Sequence, residues 1–513
     1  MIDQHIRRRC GEQPEDSEPS PPARSVAPQR RTAGAVVLAV LLLVLGARAA
    51  GAQDLGPLQG QVSLFGAAST GERLPFWLGA NRYGTLDRTA ANLGTRLSVA
   101  RPFTNDPGFD VAFGADLLAR ASGTSTAHLH QLYGQLRYGP LQATAGWKRR
   151  TIGRVDSALS MGSMMVSPNA PPVPRVSASI PDFLGVPGTR NYLAVKGHFD
   201  HGWLAGDRVV ADAYLHSKSF YLRVLPERLP VQLYGGIVHN VLWAGTHPQF
   251  GDLPDDLDAF WKVITAQESL DPEAEPSAEG EALGSGNGMY DVSIDAEVWG
   301  VDARAYRQFY IETSAGAQLR SVWDGLWGVR LDWADGPAPV ERVLWEHLYT
   351  KRQSAQLGNP DSPSFGRFGT DVYYSNGVYR TGWTLSGHTI GNPLLFADGE
   401  NPGVDNNIVI AHHVGLAGTI AGTGYRVAGT WSRNYGSRRV CAQPDCLGPG
   451  GAESRVYEPP RTQWSFRAAV TRTLAPTYGV NLRAAVAYDT GAVYEERVGL
   501  RLGLTWQIDS GAR

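Results

Sequence analysis

Hydrophobic and polar residues alternate along most of this chain. Trp464, Phe466, Ala468 and Val470 oppose Ser465 and Arg467. Leu482, Ala484, Val486 and Tyr488 oppose Arg483, and Trp327, Val329, Leu331 and Trp333 oppose Arg330 and Asp332. Tyr425, Val427 and Trp431 oppose Arg426 and Thr430, while Phe109, Val111, Phe113 and Leu117 oppose Asp110 and Asp116. A period of two places each set on its own face of a strand. A soluble sandwich would share that alternation. Two features favour a membrane instead: Trp and Tyr mark strand ends as interfacial girdles do, and strands continue without a clear domain break. The pattern predicts an all-β fold, a large antiparallel transmembrane β-barrel. Its last strand runs Val498, Leu500, Leu502, Leu504 and Trp506 against Gly499, Arg501, Gly503 and Thr505. Barrel chains commonly end on such an aromatic, but here seven residues follow Trp506.

Two stretches break the alternation. Residues 252–288 read as an insertion. Leu257, Phe260, Trp261 and Ile264 have helical spacing, which predicts a short amphipathic helix, and the acidic segment 266–280 follows as a loop. Residues 160–181, rich in Ser, Pro and Met, read as a long loop or a plug-like excursion. The N-terminus reads as targeting. Arg30 and Arg31 precede an apolar run over 33–45 and the small residues Ala50-Gly51-Ala52. These are the parts of a secretory signal, too short for a comfortable membrane anchor. The expected division is therefore 1–52, an extension with a cleaved signal, and 53–513, the barrel. Residues 1–29 are long, charged and Pro-rich for such a signal and fit a misassigned start.

Composition narrows the function. A formal net charge of -2 gives no electrostatic case for nucleic acid. Sixty glycines, 14 tryptophans and 20 tyrosines suit many strands and turns, and no repeated apolar runs point to membrane helices. Cys441 and Cys446, in a Gly- and Pro-rich stretch, are placed to close a small disulfide in an oxidising compartment, with two free thiols as the alternative. No metal is expected: His412 and His413 are adjacent and point to opposite faces of a strand, and His128 and His130 share a face but lack a third ligand. The 284–288 stretch GSGNG lacks the spacing of a hydrolase elbow, and no phosphate loop or zincin helix occurs. The chain reads as no enzyme and as needing no cofactor. Arg82, Tyr83, Arg304 and Arg307 are expected in the lumen, the arginines pairing with Asp291, Asp302 and Asp324.

Several phrases go further. LPFWLGANRYG stands at 74–84, DAFWKV at 258–263, YRQFY at 306–310, DGLWG at 324–328 and EHLYTKRQS at 346–354. YSNGVYRTGW at 374–383 runs into GHTIGNPL at 387–394, and NNIVIAHH at 406–413 and NYG at 434–436 close the series. In this order they resemble the capsule assembly (Wzi-like) outer-membrane family. The resemblance implies about 18 strands, a small helical element on the periplasmic side and a lectin-like role in attaching capsular or other extracellular polysaccharide to the cell surface. Outer-membrane lipid and that polysaccharide are then the expected partners of a monomer. Tyrosine faces and forked arginine donors suit acidic sugars, which makes Tyr373, Tyr374, Asn376 and Tyr379, with Arg433, Asn434 and Tyr435, the candidate glycan contacts. The same residues also suit a purely structural role as girdle and turn residues. A porin-like channel for small solutes is the alternative function, separated from the first by whether the lumen is blocked. An outer-membrane enzyme is a weaker third reading.

Overall fold

A computed structural model describes residues 58–509, apart from 105–107, 205, 207, 267–283, 334–335, 354–368, 370, 399–401 and 442–451. Residues 1–52, and with them the expected signal, lie outside the described residues. So does Cys446, and with it the expected disulfide.

Eighteen antiparallel strands form one sheet. In chain order they are β1 Gln59–Arg73, β2 Thr89–Arg101, β3 Phe109–Ala121, β4 Thr126–Tyr138, β5 Leu141–Trp147, β6 Pro174–Gly185, β7 Leu193–Trp203, β8 Tyr214–Val224 and β9 Val231–Trp243. Then follow β10 Ser285–Val298, β11 Val301–Ile311, β12 Gly325–Trp333, β13 Arg342–Tyr349, β14 Val409–Ile420, β15 Thr423–Cys441, β16 Ala452–Ala475, β17 Val480–Gly491 and β18 Arg497–Asp509. Each strand pairs with its sequence neighbours. β1 also pairs with β18, Gln59 opposite Asp509 and Leu64 opposite Leu504, so the sheet closes without an edge. Closure satisfies the backbone N–H and C=O groups strand to strand, which is what crossing a bilayer requires.

The alternating sets fall on opposite sides of the wall. Leu500, Leu502 and Trp506 are each 50% exposed on the outside, as are Phe466 and Val470 to a lesser extent. Asp110, Asp116, Ser465 and Asp489 are buried inside. Outward aromatics gather near both ends: Phe109, Tyr138, Trp299, Trp333 and Tyr478 at one, Trp147, Trp203 and Trp323 at the other. These are the girdles expected from the sequence.

The two ends differ. The chain enters β1 and leaves β18 at the same end, where turns are short. At two of them, Trp299-Gly300 and Ala421-Gly422, both residues have positive φ, the primed geometry that matches strand twist in a two-residue hairpin. The opposite end carries the long connections, including 74–88, 148–173, 244–284 and 350–408. A helix, α1, covers Phe76–Gly79, and a second, α2, covers Leu257–Thr265. The helix expected in the 252–288 insertion therefore exists. It sits at the long-loop end, opposite the chain's entry and exit, whereas the family resemblance implied the periplasmic side, where short turns and termini lie in such barrels. Its buried residues are Ala259 and Val263, packed with Phe260 on Val241, Trp243 and Ala244, while Leu257 and Trp261 are exposed. The apolar spacing thus found the helix and misplaced its inner face. The irregular stretch expected over 160–181 is also shorter than expected, because β6 begins at Pro174.

Candidate functional site

Three long connections fold back into the barrel and fill its long-loop half. The middle one, 148–173, is a plug. Met161, Met164 and Met165 are wholly buried in the main apolar cluster with Trp77, Leu344, Leu348, Tyr373, Tyr374 and Trp383. Methionine suits this place, because its unbranched thioether fills irregular gaps. Polar inner-wall side chains tie down the plug's backbone. Glu346 on β13 accepts from Met161 N–H and Ser160 Oγ, both at 2.6 Å, and from the Tyr306 hydroxyl. Gln308 on β11 accepts from Met164 N–H at 2.9 Å. Arg154 donates to Asp295 Oδ2 and Ser293 Oγ at 2.7 Å, and its N–H reaches Asp291 Oδ2 at 2.8 Å. Hydrogen bonds to charged partners are worth about 1.5–3 kcal/mol each.

The first connection locks on through His413. The Trp77 indole donates to Thr430 Oγ1 at 2.9 Å, so the Thr430 hydroxyl donates on to His413 Nδ1 at 2.7 Å. That leaves Nε2–H to donate to Leu159 O at 2.7 Å, and the tautomer is fixed by its neighbours. His412 points outward beside Trp345 and His347, so the two histidines diverge as the alternation requires. His128 and His130 lie on one face with ring centroids 6.0 Å apart. No group of three or more metal-ligating side chains occurs among the described residues.

The third connection caps the plug. The Trp383 indole donates to Met165 O at 2.7 Å, Asn392 Nδ2 to Gly162 O at 2.6 Å and Asn169 Nδ2 to Thr389 O at 2.9 Å. The expected glycan tyrosines belong to this cap. Tyr374 is buried; its hydroxyl donates to Met164 O and accepts from Asn392 N–H at 3.0 Å. Tyr373 is also buried. It donates to Asp324 Oδ2 at 2.7 Å and packs 4.4 Å from the Tyr310 ring. The Tyr379 hydroxyl donates to Ala244 O at 3.1 Å. Burial pushes all three phenols above their ordinary range. Asn376 closes a local turn, accepting from Val378 N–H and Tyr379 N–H at 2.9 Å. These residues offer packing rather than open ring faces. Asn434 and Tyr435 are buried too, Asn434 accepting from Asn406 Nδ2 at 2.9 Å. Arg433 alone of the seven is exposed.

The expected lumen pairs are also redrawn. Arg304 does pair inside, with Asp295 at 2.6 Å rather than with any of the three aspartates expected. Asp291 serves Arg154 N–H and the Tyr221 hydroxyl. Arg307 is not in the lumen. It lies on the outer face beneath the 312–324 connection, between the Phe309 and Trp327 rings, and donates to the backbone carbonyls of Gln308, Val322 and Asp324. The Asp324 carboxylate instead holds Tyr373 and the N–H groups of Arg352 and Gln353, and burial pushes it up to about 6 against those bonds. Asp302 and Arg82 have no ionic partner among the described residues.

Among the described residues the long connections pack into the long-loop half of a closed barrel, which defines a plugged outer-membrane barrel. The sequence model of the family "Capsule assembly protein Wzi" matches residues 78–399, and the chain belongs to that family. Wzi of Escherichia coli, described as an outer membrane protein involved in group 1 capsule assembly and a carbohydrate-binding β-barrel, superposes with a TM-score of 0.52 at 14% identity, covering 93% of this chain and 89% of its own. OpdL of Pseudomonas aeruginosa superposes with a TM-score of 0.44 at 10% identity, covering 89% and 99%. No curated protein matches by sequence.

Proposed function

We propose that this protein holds capsular or a related extracellular polysaccharide at the cell surface, from the outer membrane, by binding and without turnover. The observation that carries the proposal is family membership across 78–399 on a barrel whose long-loop half is filled by its own connections. A filled lumen favours attachment over passage, and it leaves the long-loop end, the outward end in barrels of this kind, as the surface that meets glycan. The protein acts as a monomer. Residues 1–52 are removed on export, so sequencing of the mature N-terminus reads from Gln53. The deciding experiment compares a deletion strain with its parent. Polysaccharide that sediments with parental cells is released to the medium by deletion while total synthesis is unchanged. Equal retention in both strains would sink the proposal.

A further inference from the structure

Beneath the plug, toward the short-turn end, lies a second feature that attachment at the outer face does not use. A cavity of about 850 Å³ is bounded above by Arg82, Thr85 and Ala158 and around its sides by inner-wall residues from the short-turn halves of the strands. Its volume is that of a small-molecule site.

Its charge is one-sided. Eight arginines line it against three acidic residues. Three of the eight, Arg96, Arg330 and Arg342, are matched, as is Arg497 nearer the long-loop end. Arg96 pairs with Asp116, Arg330 and Arg342 with Asp332, and Arg497 with Asp489. Five arginines of the cavity are not: Arg82, Arg426, Arg467, Arg483 and Arg501 have no carboxylate partner and no hydrogen-bond acceptor among the described residues. Strand register explains why. Arg426 faces Ala469, Arg467 faces Ala428 and Ala487, Arg483 faces Thr471, and Arg501 faces Ala485 and Ala67. Each position given across from these four arginines is small and uncharged, which leaves both the room and the positive field. Guanidinium charges left without a counter-charge destabilise a fold unless something meets them.

We propose that this cavity is a binding site for a phosphoryl oxyanion, entered from the short-turn end and distinct from glycan attachment at the outer face. Guanidinium forks match phosphoryl oxygens two at a time. A phosphoryl or pyrophosphoryl group also concentrates several negative charges in one place, as five converging arginines demand; a carboxylate carries one.

Isothermal titration of the full-length protein in neutral detergent tests this, with sodium pyrophosphate as the probe and ionic strength held constant with sodium chloride. Saturable one-site binding is expected. The triple variant R467Q/R483Q/R501Q should weaken it at least tenfold while folding normally, with a melting temperature at or above the parent's, because like charges have been removed. R472Q, an exposed arginine on β16, should bind as the parent does. Competition by a hexose 1-phosphate or by short-chain phosphatidic acid separates a soluble phosphorylated ligand from a lipid headgroup, and either keeps the site. Three results would overturn the proposal: no saturable binding beyond that of sulfate at equal ionic strength, affinity that survives the triple variant, or tighter binding of a tri-uronate than of pyrophosphate.

Discussion

Single residues here work mainly as fasteners between connections, and Asp87 shows how charge enters. It ends the first connection and grips the turn between β3 and β4, accepting from Ser122 Oγ at 2.8 Å, Thr124 N–H at 3.1 Å and the Thr124 hydroxyl. Burial raises its pKa, but these bonds to the ionised form outweigh it and bring the group down to about 2. A depressed carboxylate contributes stability in full above its unfolded value near 4 and loses it as pH falls toward 2. Asp87→Asn should therefore melt below the parent at pH 7, with the gap narrowing between pH 4 and pH 2. A gap independent of pH in thermal unfolding would refute the charged role. Residue type alone read this scale poorly. Tyr373 and Tyr374 looked like sugar platforms because an aromatic suits a ligand and a core equally well, and only burial separates the two. Arg307 was legible and misread. It is an odd number of residues from Arg304 on one strand, so the period of two already put them on opposite faces.

Strands were the most legible elements, because each is long, its period is strict and its outer face must be apolar. Four of the five unbalanced arginines of the short-turn cavity, Arg426, Arg467, Arg483 and Arg501, stood in that same pattern, on the polar faces of β15 to β18. Their lack of partners depends on register across strands, which one strand's alternation does not contain. The helix α2 was legible as a period and not as a face. Its exposed Leu257 and Trp261 carry the apolar signal, while the buried stripe uses the smaller Ala259 and Val263. What holds its start is Asp256, whose Oδ1 accepts from Ala259 N–H at 2.8 Å. Asp256→Ala leaves that donor without its cap at a cost of about 1 kcal/mol. Amide exchange across 259–264 should then speed up about fivefold, with exchange in β9 and β10 unchanged. Equal acceleration in those strands would show the helix to be part of the barrel's cooperative unit rather than a local addition.

At the scale of the whole molecule, wall and plug are held by different forces. The wall rests on strand-to-strand hydrogen bonds that close on themselves, so it needs nothing in the lumen to satisfy its backbone. The plug rests on methionines packed among inner-wall apolar groups and on Glu346, Gln308 and Arg154 reaching across to it. Removing the plug's side chains should leave the wall folded and open the lumen. Replacing 158–165 by alternating Gly and Ser of the same length keeps the connection closed while deleting Leu159, Met161, Met164 and Met165. The variant should still migrate as a heat-modifiable folded barrel and should pass a steady current in planar bilayers, where the parent passes brief, small ones or none. A parent that conducts strongly and steadily would mean that the long connections move aside in a bilayer. The case for attachment over passage would then lose its structural support, because the capped and plugged lumen is what distinguishes this barrel from a channel of the same wall.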